Sequence, residues 1–234
     1  MSALPIADGE SLVSTAVRRI REHIRLNGLR VGDALPGEQQ FASELGVSRA
    51  VMREAFGALA ALRLIDVGNG RRARVGAIDG SVMATSLEHA VTTEQASITE
   101  IWDVRRTLEL RTAQLAALNR TPSEADRILE LARALSTAAD LETTTSLDIA
   151  FHQAIAKATH NMIFHQIVRS FENTMRSAVP AAWRTRITRE QQDVVRRNHI
   201  AIAEAIDAGD PDRAFEAMDS HFDASVIRAA RIGA

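Results

Sequence analysis

The stretch from Leu35 to Val75 limits the available folds more than any other part of this 234-residue chain. Leu35-Pro36-Gly37-Glu38 reads as a helix start, and Phe41, Ala42 and Leu45 form the apolar stripe of the helix it opens. Gly46-Val47-Ser48 leaves room only for a tight turn, with Ser48 as N-cap of a helix from Arg49 to about Leu62. Two helices joined by so short a glycine-containing turn make a helix-turn-helix. Two β-prone runs follow at once, Leu64–Val67 and Ala73–Val75, separated by the charged turn formers Gly68-Asn69-Gly70-Arg71-Arg72. A hairpin in that position is a wing. Upstream, Leu12, Val13, Ala16, Val17, Ile20, Ile24 and Leu26 are read on one face of a helix over 11–27, with arginines opposite. Residues 1–76 are therefore expected to form a winged helix-turn-helix of three helices plus a β-hairpin.

The remainder follows one period. From Ile98 onward apolar residues recur at helical spacing, and no segment alternates as a strand would. Thr121-Pro122-Ser123-Glu124 combines an N-cap threonine, a proline at the first helical position and a glutamate at the third. Asp210-Pro211-Asp212 repeats the start signal, after Gly209 as the stop of the preceding helix. The fold class is thus mainly α, with residues 98–234 forming an all-α antiparallel bundle of six or seven helices. Residues 77–97 read as a connector whose pattern allows a helix over 80–91.

Composition removes several function classes. The chain has no cysteine, which excludes disulfides, iron–sulfur clusters and thiol catalysis and fits a reducing cytoplasm. No basic stretch followed by an apolar run opens the sequence, and no segment approaches ~20 apolar residues, so neither a signal peptide nor a membrane span is expected and the protein is placed in the cytoplasm. Residues 1–76 hold eleven arginines against eight acidic residues, whereas the rest carries 17 basic and 22 acidic groups. A basic module on an acidic body suits contact with nucleic acid.

In a helix-turn-helix the second helix enters the major groove, its first residues against base edges. Those residues are Ser48, Arg49, Ala50 and Arg53. Arg49 and Arg53 lie four apart on one face, and each can fork onto guanine O6 and N7 or onto a phosphate. Asn69, Gly70, Arg71 and Arg72 at the wing tip are placed for the backbone or the adjacent minor groove. The plainer alternative keeps both helix arginines solvated, one of them paired with Glu54 or Glu44.

Six of the seven histidines lie beyond residue 76. Asp148 and His152 are four apart and share a helix face, His199 begins a second helical segment, and His221 lies in the helix after it. One carboxylate and three imidazoles suit a divalent cation such as Zn, Ni, Mn or Fe, with coordination positions left open. Taken singly, each histidine also reads as a surface or hydrogen-bonded core residue, and that reading is kept for His23, His89, His160 and His165. No His-Glu-x-x-His, nucleophile elbow or glycine-rich phosphate loop points to an enzyme, with Glu109 the one candidate general base left open.

Leu35-Pro-Gly-Glu-Gln-Gln-Phe-Ala, Leu45-Gly-Val-Ser-Arg-Ala-Val-Met-Arg-Glu-Ala-Phe, Leu59, Leu64-Ile65 and Gly68-Asn69-Gly70 closely resemble the GntR family of bacterial regulators. The resemblance implies DNA contacts from Ser48, Arg49, Ala50, Arg53, Asn69 and Gly70. Gln39 departs from it, standing where the family usually has a DNA-contacting arginine. Gln can still bond a phosphate or an adenine. Asp103-Val-Arg105-Arg-Thr-Leu-Glu109, Asp148-Ile-Ala-Phe-His152, Asn161, His199-Ile-Ala-Ile-Ala-Glu-Ala-Ile-Asp-Ala-Gly-Asp-Pro and Met218-Asp-Ser-His221 look like the FadR-type C-terminal domain, in its metal-binding branch. That likeness implies Asp148, His152, His199 and His221 as ligands of one divalent ion per subunit. It further implies Arg105 and Asn161 at a small carboxylate effector, while Arg106, the next residue, points ~100° away and is left solvated. Arg53-Glu-Ala-Phe-Gly-Ala-Leu and Arg63-Leu-Ile-Asp resemble regulators of sugar-acid catabolism, which implies an aldonate or hexuronate. The whole implies a homodimeric repressor on a palindromic operator in double-stranded DNA, released by its effector. Two alternatives stay open: a metalloregulator in which the ion is the signal, and a structural ion with no sensing role.

Overall fold

Side-chain caps decide where the first helices begin and end in the computed structural model, which describes residues 11–68, 70–184 and 188–229. α1 (Leu12–Leu26) starts at Ser11, whose hydroxyl accepts the Ser14 N–H at 3.0 Å. α2 (Glu38–Leu45) stops at Gly46, which takes φ +67°, a left-handed conformation that crowds a Cβ against the carbonyl oxygen. Ser48 caps α3 (Arg49–Ala61) by accepting the Val51 N–H at 3.2 Å. One glycine and one hydroxyl thus fix the turn of the helix-turn-helix, as its sequence predicts. The helices close over Ile20, Leu35, Phe41, Met52, Leu59 and Ile65. Phe41 meets His23 edge-on at 5.1 Å and Phe56 at 6.0 Å between ring centres.

β1 (Ile65–Gly68) and β2 (Arg71–Val75) pair antiparallel, with Ile65 opposite Val75 and Gly68 opposite Arg71. The wing is where the sequence puts it, but its tip is shorter. Arg71 and Arg72 belong to β2, because Gly70 at φ +70° helps reverse the chain within two residues and pairing resumes at Arg71. Asn69 lies outside the described residues. Residues 32–35 run along the other edge of β2: Gly32 N–H donates to Val75 O (2.9 Å), Val75 N–H to Asp33 O (2.9 Å) and Leu35 N–H to Ala73 O (2.8 Å). Four residues are too few to show a period, so the sequence reading missed this strip.

The chain divides into two compact units between Val82 and Met83. α4 (Ser81–Thr92) begins at that division, close to the span its pattern allowed. Seven helices follow among the described residues: α5 (Ile98–Asn119), α6 (Pro122–Thr137), α7 (Leu141–Ala158), α8 (Met162–Ser170), α9 (Glu172–Arg184), α10 (Arg189–Ala208) and α11 (Pro211–Ala229). Capping boxes open α5 (Ser97 with Glu100) and α6 (Thr121 with Glu124, Pro122 at its start). Gly209 at φ +71° ends α10 before Pro211 starts α11. α5 lies against α7, α10 and α11, and α7 also packs on α6 and α9. Trp102, Ile128, Phe151, Ile155, Ile202 and Phe222 form part of the core where they meet.

Replacing Gly46 isolates the cost of its backbone, since a Cβ there would touch nothing within 4 Å. Gly46→Ala is expected to destabilise the first unit by about 1–2 kcal/mol. A urea titration of that unit's unfolding would show the shift, and an unchanged midpoint would contradict the left-handed turn.

Candidate functional site

Three helices bring four ionisable groups close together inside the second unit. α7 carries Asp148 and His152 one turn apart, α10 carries His199 and α11 carries His221. The three imidazoles are buried, and each offers a ring nitrogen within 4.8 Å of the others. Asp148 Oδ1 is 3.1 Å from His199 Nε2. The structure therefore clusters three of the four residues the sequence nominates as ligands and sets the fourth, Asp148, against one of them.

The hydrogen bonds fit a cation at their centre. His199 Nδ1 faces the Val195 carbonyl oxygen at 2.8 Å, which assigns it the proton. In the neutral ring, Nε2 then turns a lone pair toward the Asp148 carboxylate. A positive ion shared by the two removes that conflict. His152 Nε2 is buried without a hydrogen-bond partner among the described residues, as an atom awaiting a ligand bond would be. Nδ1 of the same ring touches Glu109 Oε2. Among the described residues, His152, His199 and His221 are the only such metal-capable cluster.

Charge states agree with this donor set. Burial works against ionising Asp148, yet the His199 hydrogen bond and the three imidazoles hold its carboxyl well below the usual carboxylate range. Burial likewise opposes ionising Glu109, but Arg105 and His152 bring it down to about 2. Desolvation pushes His221 well below the ordinary imidazole value, helped by His199 and His152. Ionised carboxylates and a neutral imidazole are the forms that bind metal.

Arg105 lies beside this cluster, 2% exposed. Its Nε donates to Glu109 Oε1 at 2.7 Å, and its guanidinium stacks 4.8 Å from the centre of Trp102. Nη1 meets the sulfur of Met175, a weak acceptor for a buried cation. Arg106 corrects the solvated reading: Nε donates to Asp219 at 2.9 Å and Nη1 lies 2.8 Å from Asp223, tying α5 to α11. Asn161 is not brought to the cluster. It is exposed and caps α8, its oxygen accepting the Ile163 N–H at 2.9 Å. Glu109, read from sequence only as a candidate base, instead joins Arg105 to His152. The i,i+4 spacing of Arg105 and Glu109 was its only signal.

A cavity of about 20 Å³ adjoins the cluster, lined by Trp102, Thr144, Asp148, Trp183, His199 and His221 among others. It has room for an ion or a water molecule, which needs ~10–15 Å³. Ligand pockets of ~300 Å³ or more are a different scale.

The second surface lies on the first unit. Gln39, Ser48, Arg49, Ala50, Arg53, Gly70, Arg71 and Arg72 are all exposed. Arg49 makes no hydrogen bond or ion pair among the described residues, so its fork is available. Arg53 Nε is 4.0 Å from Glu38 Oε2, with 77% of its side chain exposed. Its partner is thus Glu38 rather than Glu54 or Glu44. Such an exposed pair contributes ~0–1 kcal/mol and yields easily to a phosphate.

The depressed His221 value sets a pH dependence. In the metal-free chain the unfolded state takes up this proton near pH 6.5 and the folded state only well below it. Stability is therefore complete above about pH 6.5 and declines as pH falls, by up to ~1.4 kcal/mol per unit. Chemical denaturation of chelator-treated protein between pH 7.5 and 5 should show this slope, and His221→Gln should flatten it.

Comparison with known proteins matches each of the two units to a known domain. Residues 12–75 match the bacterial regulatory proteins of the gntR family, and residues 100–224 match the FCD domain, more than half of the chain. A protein of Escherichia coli (strain K12) named as an L-lactate dehydrogenase operon regulator is 31% identical over 208 residues, 87% of this chain and 80% of that one. The Glc operon transcriptional activator of the same strain is 30% identical over 193 residues, 79% of this chain and 76% of its own. The solved structure of Streptococcus agalactiae GntR superposes with a TM-score of 0.65 at 22% identity, covering 95% of this chain and 100% of that one, and so shares the fold. The chain belongs to the GntR family of bacterial transcription regulators, its winged helix-turn-helix followed by an FCD effector domain.

Proposed function

We propose that this regulator binds a palindromic operator as a homodimer and senses a small hydroxy-carboxylate beside a divalent metal ion. The observation that carries this reading is the convergence of the buried His152, His199 and His221, with Asp148 against His199, next to an interior arginine that a pure metal sensor would not need. Asp148 and the three histidines hold the ion, with Zn, Ni, Mn and Fe all compatible with one carboxylate and three imidazoles. When bound, the ion supplies a second positive charge for the effector's carboxylate. Arg105 takes that carboxylate at the end of its fork now facing Met175, exchanging a thioether for an anion. A relative named for an L-lactate dehydrogenase operon supports a short 2-hydroxy acid, alongside the sugar acids suggested by the sequence.

On DNA, α3 enters the major groove with Ser48, Arg49, Ala50 and Arg53, while Gln39 and the wing residues Asn69, Gly70 and Arg71 meet the backbone and minor groove. Val104 and Leu118 share the outer face of α5, 51% and 57% exposed, and offer apolar area to a second copy. No helix among the described residues is long and apolar enough to cross a membrane, in keeping with action on cytoplasmic DNA. The cavity must enlarge to admit an effector, so binding and rearrangement of the bundle are linked, and DNA weakens effector binding as much as effector weakens DNA binding. Repression needs only occupancy of the promoter. A second reading, activation, is favoured by the relative named as the Glc operon activator.

Arg49→Ala should lower operator affinity about 5- to 150-fold, the ~1–3 kcal/mol of a lost bidentate contact, without altering the far-UV spectrum. Mobility shifts on the chain's own upstream region would measure it, and undiminished binding would remove Arg49 from the interface. Thermal unfolding of metal-loaded protein against a panel of small carboxylates tests the sensor. One acid at ~100 times its Kd should add ~2.7 kcal/mol, and the gain should vanish in Asp148→Ala and Arg105→Ala. Stabilisation that survives Arg105→Ala would favour the ion as the signal.

A further inference from the structure

Glu109 is 1% exposed and touches both halves of the proposed site. Oε1 accepts the Arg105 Nε–H at 2.7 Å, while Oε2 lies against His152 Nδ1. Among the described residues it is the only anion paired with Arg105, and the only carboxylate in contact with that nitrogen of His152.

We infer that Glu109 couples metal to effector with opposite signs: one oxygen fixes His152 as a metal ligand, and the other competes with the effector's carboxylate for Arg105. The inference rests on the metal-and-carboxylate reading above. Its first half follows from the imidazole. A carboxylate against Nδ1 places the proton there, which leaves the lone pair on Nε2; apart from Glu109, neither buried ring nitrogen has a partner among the described residues. A carboxylate behind a ligating histidine also orients the ring and raises its basicity.

The second half follows from the guanidinium. A bidentate carboxylate needs two N–H groups on one edge, and Glu109 already takes Nε. The incoming anion is left the end near Met175, within the field of the Glu109 charge. Two anions sharing one buried cation repel, so Glu109 lowers effector affinity at Arg105 while raising metal affinity at His152. Glu109 is a positioning residue: it holds His152 and Arg105 without itself touching either ligand.

Glu109→Gln keeps the shape and removes the charge. Zinc, titrated against a chromophoric chelator, should bind about 10–100-fold more weakly. Acetate, followed by calorimetry on protein saturated with zinc, should bind at least about fivefold more tightly. Glu109→Asp provides a second variant if the amide fails to fold: with its charge kept beside Arg105 but its reach to His152 lost, zinc should weaken without any gain for acetate. Nitrogen-15 shifts of His152 should report a proton on Nδ1 in the parent and a mixed tautomer in Glu109→Gln. A merely structural role would weaken both ligands together, and that result, or two unchanged affinities, overturns the inference alone. His152→Ala and Arg105→Ala are the controls. If zinc ignores the first, or acetate fails to bind the parent or ignores the second, the underlying reading falls and the inference with it.

Discussion

Three imidazoles, two carboxylates and a guanidinium share the interior of one helical bundle, and the rest of the second unit is arranged so that they can. An isolated charge there would cost several kcal/mol. The cost is contained because Glu109 stands between Arg105 and His152, and Asp148 faces His199. Aromatic rings fill what remains: Phe151 is edge-on to His152 and His199, and Trp102 lies under Arg105. Since α5, α7, α10 and α11 each contribute at least one charged or imidazole group, the same balance that makes the site also fixes how those helices pack.

The architecture was legible because its determinants are local. A capping box, a proline at a helix start and a left-handed glycine act within four residues, so Thr121, Pro122, Gly46, Ser48 and Gly209 could be read directly. The strip at 32–35 was not legible, because its hydrogen bonds go to residues some forty positions away. Arg71 and Arg72 look like tip residues for a related reason: charge suggests a loop, whereas the register from Gly68 to Arg71 decides the strand.

At the site, legibility again tracked distance along the chain. Asp148 and His152 declare a shared face through their spacing, but nothing in the spacing of His199 and His221 says that they meet it. Family resemblance supplied that link, and the geometry agrees with it. The same resemblance carried Asn161 along, where the local signal was the better guide: an asparagine immediately before an apolar helical run is first a helix cap. Glu109 shows the converse. On α5 it looks like half of an ordinary i,i+4 pair with Arg105, and only the arrival of α7 gives its second oxygen a partner.

So small a cavity bears on the proposed sensing. A preformed pocket could take its ligand with no effect on the bundle, and the ligand would then carry no information. About 20 Å³ beside the histidines admits an ion but nothing the size of a hydroxy acid, so under the proposed reading occupancy by such an acid and displacement of packed side chains would be one event. Met175 and Trp183 are the groups most directly opposed, one against the guanidinium and the other lining the cavity, and both belong to α9. α9 also carries Pro180, which lacks the N–H that would hold the helix to its previous turn. The wall that would have to yield is thus also the one with an interrupted hydrogen-bond ladder, whereas α7, α10 and α11, which carry the clustered histidines, each pack against α5. If the proposed acid enters here, α9 is the element expected to move, with the clustered histidines holding their places.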